Sequence, residues 1–190
     1  MTLNLPVEDA ANDLLSRSPF ALLLAMMLDQ QVPLEKAFSS PYQLALRLGH
    51  EPAAAELAAF DPEKLADIFA ERPALHRFPR AMAARSQELA RQLVEQYDGD
   101  AASVWTGAAT GSELVARLAA LPGFGGYKAQ ITAALLGKQL GVRPEGWREA
   151  AGHFGAEGSH YSVADIVDDQ SLLAVRAYKK DMKAAAKAAR

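Results

Sequence analysis

The stretch Leu121-Pro122-Gly123-Phe124-Gly125-Gly126-Tyr127-Lys128-Ala129 contains the residues best suited to holding a ligand. Upstream, Leu114, Val115, Leu118 and Ala119 recur at helical spacing; downstream, Ala129, Ile131, Ala133, Ala134, Leu135 and Leu136 fill an apolar segment. Pro122 cannot continue the first helix, Gly123 and Gly125 permit backbone angles closed to other residues, and Gly126 opens the second helix without a side chain. The spacing predicts a helical hairpin over about 113–138. Its second helix would point free N–H groups outward, where the helix dipole favours an anion such as phosphate. The alternative is a plain turn between helices, because turn chemistry specifies conformation rather than ligand.

A second chemically suggestive stretch is Gln30-Gln31, at the end of the apolar run Phe20 to Leu28. That run is too apolar for a surface helix and too short, at half of the roughly 20 residues required, for a membrane span. It predicts a buried core helix. Glutamine amides are costly to bury without partners, so Gln30 and Gln31 are expected at the exposed tip, free to bond bases or nucleic-acid backbone, or merely to satisfy the turn.

These segments must be positioned by helices. Tyr42, Leu44, Ala45 and Leu48 predict a helix over Pro41 to Leu48, stopped by Gly49. Asp61-Pro62-Glu63 has the cap and first-position proline of a helix that contains Leu65, Ile68 and Phe69 and ends near Pro73. The longest pattern runs from Arg80 to Tyr97, with Ala83, Ala84, Leu89, Ala90, Leu93 and Val94 opposite the charged residues, until Asp98-Gly99 ends it. No period-two pattern of useful length occurs, so the expected fold is all-α. A chain of 190 residues, 50% hydrophobic, suffices for one domain over residues 1–190, either around one sizeable core or as a two-lobed helical bundle with a shared cleft. Before Leu14 only a short cap is expected.

Leu-Pro-Gly-Phe-Gly followed by an apolar helix resembles the helix-hairpin-helix (HhH-GPD) of the base-excision DNA glycosylase superfamily. The early helix ending in Gln30-Gln31 resembles that superfamily too, and the likeness spans Leu14 to Val142 in order and spacing. The resemblance implies DNA repair by base excision. Its hairpin amides would hold a DNA phosphate, involving Leu121, Gly123, Phe124, Gly125, Gly126 and Lys128. Carbonyls of Ala119, Leu121 and Phe124 would bind a monovalent cation such as K⁺ or Na⁺, and Gln30 or Gln31 would enter the duplex near the lesion. Partners would be the DNA backbone and a flipped base, bound by a monomer with no membrane association.

The superfamily's chemistry needs a carboxylate, which stabilises an oxocarbenium-like state and orients or deprotonates water after the nucleotide leaves the stack. Counting from Leu121 to the family's aspartate lands on Glu145, so the resemblance makes Glu145 the catalytic candidate. Asp165, Asp168 and Asp169 are alternatives that would fold back from farther along the chain, although Asp165 is more simply a helix N-terminal carboxylate interacting with the dipole. Where bifunctional members carry a Schiff-base lysine this chain has Tyr127, and Lys128 projects about 100° away on the helix. The implied enzyme is therefore a monofunctional hydrolase, releasing a damaged base such as an alkylated purine, with Tyr127 in the base pocket. Trp147 and Tyr161 are candidate stacking partners, with ordinary aromatic packing the simpler account. The alternative function is a noncatalytic DNA-binding or lesion-sensing protein.

Cysteine is absent, which removes disulfides and the thiolates of an iron-sulfur cluster. His50, His76, His153 and His160 lack metal-ligand spacing, so no transition metal and no other cofactor are expected. The formal net charge of −3 does not announce a DNA binder. Local basic groups are nevertheless available: Lys128 and Lys138 on the hairpin, Arg77, Arg80 and Arg85 at another turn, and Lys179, Lys180, Lys183, Lys187 and Arg190 near the C-terminus. They predict one positive face, although the terminal Lys/Ala run is equally a solvated helix of good propensity. No signal peptide or membrane segment is read, and a cytoplasmic location is expected.

Overall fold

A computed structural model describes residues 2–188. The described residues form helices and connecting turns, with no strand; the sole sheet-like pairing is an isolated parallel bridge between Thr110 and Glu145. The chain is all-α. Arg190 lies outside the described residues.

α1 (Asp9–Arg17) and α2 (Pro19–Leu28) meet at Ser18, whose hydroxyl accepts from Ala21 N and caps α2, with Pro19 at its first position. Every residue from Phe20 to Leu28 is buried, as expected of a central helix. The segment before Leu14 does more than cap. Leu3 and Leu5 are buried, and the Asn12 side-chain amide pairs with both Leu5 backbone groups at 2.9 Å, satisfying an extended segment inside the fold.

α3 (Leu34–Leu48) begins before Pro41 and runs through it, ending at Gly49 with φ +79°. Pro41 is therefore interior, and the first turns that the sequence pattern omits are held by the burial of Ala37 and Phe38. α4 (Ala54–Ala59) and α5 (Pro62–Ala70) pack on α6 (Pro79–Tyr97). In α5, Asp61 accepts from Lys64 N at 2.9 Å, confirming the expected cap. On α6, Ala84 faces solvent, whereas Ser86 and Gln87 are buried. The buried Gln87 amide donates to the Leu57 and Phe60 carbonyls and closes the end of α4, a polar role that an apolar pattern does not display.

α7 (Ser103–Thr106) leads into α8 (Gly111–Ala119) and α9 (Gly126–Gln139), the expected hairpin shifted only at its margins. α10 (Trp147–Ala150), two single-turn 3-10 segments (Gly152–Gly155 and Val163–Asp165) and α11 (Asp169–Ala188) follow. Buried apolar residues from Leu3 to Val175 belong to one connected cluster, in which α2 touches α1, α3 and α6. No helix among the described residues is long and apolar enough to cross a membrane.

Candidate nucleic-acid interface

The turn between α8 and α9 is anchored from within. Leu121 and Phe124 are buried, and Phe124 N donates to Leu121 O at 3.0 Å, so both residues brace the turn and only their backbones can reach a ligand. Gly123 has φ +81°, and a Cβ there would lie 2.8 Å from Met27 Cγ and 2.9 Å from Arg85 Cδ. It is needed for conformation and for close packing. Gly125, with φ −94° and ψ 173°, occupies backbone space open to any residue, which corrects the expectation of a forbidden angle.

Gly125 and Gly126 are nevertheless distinctive, because a Cβ at either would meet nothing within 4 Å and both are exposed. The backbone N–H groups of Gly125, Gly126, Tyr127 and Lys128 have no acceptor among the described residues, and no side chain caps α9. Four donors thus converge at the positive end of a 14-residue helix, with no side chain shielding the first two. The Ala119 and Phe124 carbonyls accept no backbone hydrogen bond among the described residues.

Lys128 does not extend into solvent. Its ammonium donates to Met27 O at 3.1 Å and Asp29 O at 3.2 Å, across about a hundred residues of chain, and completes the C-terminus of α2. Burial lowers its pKa; Asp29 opposes that shift and Arg85 adds to it. The hairpin turn and the glutamine turn, separate in sequence, are therefore one structure. Within it the two glutamines differ. Gln30 is half-buried, donating to Met27 O at 2.8 Å and accepting from Arg85 at 3.4 Å. Gln31 is exposed in the left-handed region at φ 56°, and its amide makes no hydrogen bond among the described residues. Only Gln31 is presented.

His76 holds this turn from beneath. It is 2% exposed; its Nε2 lies 3.2 Å from Leu28 O and 3.0 Å from Gln30 O, while Nδ1 accepts from Phe78 N at 3.0 Å. That pattern assigns a neutral ring protonated on Nε2. Burial is the principal cause of its lowered pKa. The unfolded chain therefore binds the proton more readily, so the contribution of neutral His76 is complete above about pH 6.5 and is lost as pH falls through the lower folded value. His50, raised by Glu56, acts in the opposite direction. In a His50→Gln background, urea midpoints should fall from pH 7 towards pH 5 by about 0.5 M, and His76→Gln should flatten that fall. Identical slopes would refute the assignment.

Tyr127 is 66% exposed and meets Phe154 edge-on at 4.9 Å between ring centroids. Behind it lies a cavity of about 290 Å³, whose walls include Asp29, Tyr161, Tyr178 and Lys179. Tyr161 and Tyr178 lie 4.6 Å apart, and His153 bridges Phe154 at 3.9 Å and Tyr161 at 5.5 Å. The Asp29 carboxylate accepts no hydrogen bond among the described residues. Burial raises its pKa, against the pull of Lys179 and Lys128. Sequence reasoning missed Asp29 as a site residue. Its signal was a carboxylate directly after nine consecutive apolar residues, where the chain leaves the core.

The other candidate residues have different surroundings. Glu145 is exposed beyond the C-terminus of α9, and its carbonyl accepts from Gly111 N at 2.7 Å, at the start of α8. It therefore sits at the opposite end of the hairpin from the glycine turn, separated by the length of α9, about 20 Å. Trp147 is buried against Gly137, where a Cβ would lie 2.3 Å from the indole, and under Arg148, with 4.6 Å between guanidinium and ring. It lines core, not the cavity. Asp165 accepts from Lys138, Ser159, Tyr161 N and Ser162 N, fixing a loop. Asp168 accepts from Ser171 N at 2.7 Å at the start of α11, and Asp169 lies in that helix's first turn.

The expected positive face is also reduced. Lys138 is inside, ion-paired with Asp165 at 2.5 Å, and Arg80 is engaged by Glu63 and Asp67. Lys179 and Lys183 remain beside Tyr127 at the cavity. Among the described residues, no group of three or more His, Asp or Glu could hold a metal ion. No family model matches the chain, and no curated protein and no solved structure matches it.

Proposed function

We propose that this chain binds DNA through the α8–α9 turn and acts in base-excision repair as a monofunctional N-glycosylase, as its resemblance to the helix-hairpin-helix glycosylases implies. The observation that carries the reading is the group of four free amides at the α9 N-terminus, unshielded at Gly125 and Gly126 and joined through Lys128 to the turn that presents Gln31. A phosphate on those amides would place Gln31 and the Tyr127 cavity on the same side of the DNA backbone. The monomer would work in the cytoplasm. The unpaired carbonyls of Ala119 and Phe124, with Leu121, form an oxygen set that suits a monovalent cation.

Chemistry on a base requires its extrusion from the stack and a pocket to receive it. The aromatic cavity behind Tyr127 supplies that pocket, and Tyr127 in place of a lysine favours base release without strand cleavage. One observation favours the noncatalytic reading. The expected carboxylate, Glu145, is remote from the turn.

The phosphate contact is tested by Gly125→Val with Gly126→Val. A Cβ at either position meets nothing within 4 Å, so the fold should persist while the amides are screened from a backbone phosphate. Duplex affinity at low salt, measured by fluorescence anisotropy, should fall about tenfold, the value of one lost helix-terminus anion contact. An undiminished affinity in the folded double variant would overturn the DNA-binding assignment.

A further inference from the structure

A cavity of about 470 Å³ opens at the C-terminal end of α9, away from the glycine turn, and the start of α11 lines its other side. It shares no wall residue with the cavity behind Tyr127. Three cations, Lys138, Arg143 and Arg148, and three carboxylates, Glu157, Asp165 and Asp168, line it. Most of that charge is already engaged. Lys138 is paired with Asp165, which also takes Ser159 and two loop amides, and Asp168 accepts from the backbone and hydroxyl of Ser171. Arg143, Arg148 and Glu157 make no ion pair among the described residues.

The two guanidiniums are held in place all the same. Arg143 Nε donates to Gly137 O at 2.8 Å, near the end of α9, and Arg148 Nη1 donates to Gly155 O at 2.9 Å while lying over the Trp147 ring. A guanidinium has several N–H donors and each of these uses one, so most of each fork stays free. An oriented fork loses little further freedom on binding and matches two phosphate oxygens at once. Two of them suit a phosphate monoester, whose charge near neutral pH approaches about −2.

The other walls define the rest of the ligand. Glu157 and the Gln170 side-chain amide are exposed and line the cavity with no hydrogen-bond partner among the described residues. Glu157 would repel a bare anion but accept from a hydroxyl. A nucleobase would find little to stack on, since His160 is the one aromatic side chain on these walls and Trp147 is buried beneath Arg148. We infer that the cavity binds a free phosphorylated sugar, with its phosphate on Arg143 and Arg148 and its hydroxyls on Glu157 and Gln170. This site is additional to the base-excision reading and does not rest on it.

The probes are ribose 5-phosphate, ribose and inorganic phosphate, titrated into the full chain by calorimetry at neutral pH and low salt. Ribose 5-phosphate should bind about tenfold more tightly than inorganic phosphate, and ribose alone should not bind measurably. Arg143→Lys keeps the charge and loses the fork, so it should weaken ribose 5-phosphate about tenfold. Glu157→Gln removes the repulsion and should bring inorganic phosphate within about threefold of the ester. Folding of both variants is checked by circular dichroism. The unsubstituted protein gives a second readout, modification by phenylglyoxal mapped by mass spectrometry. With ribose 5-phosphate at about ten times its dissociation constant, Arg143 and Arg148 should react about tenfold more slowly, while the exposed Arg72 and Arg91 react as before.

No binding of ribose 5-phosphate, equal affinity for inorganic phosphate in the parent, or unaltered affinity in folded Arg143→Lys would each overturn the inference. So would binding without protection of Arg143 and Arg148, which would put the sugar phosphate elsewhere. A 5′-phosphorylated oligonucleotide should not displace ribose 5-phosphate; displacement would make the cavity a nucleic-acid site and overturn the assignment to a free sugar phosphate. Loss of duplex binding in the glycine variants would leave all of these outcomes unchanged.

Discussion

Trp147→Ala will lower the unfolding free energy by about 3–5 kcal/mol, the range for deleting a buried aromatic, while leaving the proposed duplex binding unchanged under native conditions. The indole fills the notch left by Gly137 on α9, and Arg148 covers its other face. Truncation opens a cavity that the Gly137 backbone cannot fill, and it removes a cation–ring contact. Urea unfolding followed by circular dichroism reports the first effect, and anisotropy at low denaturant the second. A stable variant with weakened DNA binding would return Trp147 to the ligand-binding surface.

Asp165→Ala will cost a comparable amount, about 3–5 kcal/mol, because it strands a mostly buried ammonium. Lys138 and Asp165 meet at 2.5 Å with side chains 14% and 3% exposed. The same carboxylate also holds Ser159 Oγ at 3.0 Å, Tyr161 N at 2.8 Å and Ser162 N at 3.1 Å. Removing it leaves donors without acceptors and frees the loop that carries Tyr161. Replacing both partners, as Lys138→Met with Asp165→Leu, should recover more than half of the loss, since no unpaired charge is left inside. Equal destabilisation by single and double variants would show that the loop bonds, not the stranded charge, dominate. Thermal and urea unfolding of the three variants decide this.

Both residues are chemically able and structurally committed, so the sequence leaves a ligand role and a packing role open for each. An aromatic and a carboxylate beside a glycine-rich turn look the same whether they face a cavity or fill a notch. The hairpin itself was legible, because proline and glycine punctuate the chain locally and α8 and α9 begin within a few residues of their expected limits. The burial of α2 was legible for a similar reason: nine apolar residues in succession leave a helix no solvent face. Asp29 was not. Its surroundings come from α9, the loop after α10 and α11, and no local pattern records that convergence. The glutamines were half legible, since an exposed tip was expected, but the division between tethered Gln30 and free Gln31 depends on Arg85 and His76 from elsewhere in the chain.

Lys128 gives this arrangement a kinetic consequence. Because its ammonium ties the first turn of α9 to the last carbonyls of α2, the glycine turn and the turn that carries Gln31 are joined before any partner arrives. The two turns need not find each other during an encounter, which lowers the ordering penalty that slows and weakens flexible binders. Association should then depend on collision and ionic strength, with rearrangement contributing little. On the proposed DNA-binding reading, Lys128→Met, which keeps the stem but cuts the tether, should slow association with duplex, because the two loops would first have to find their spacing.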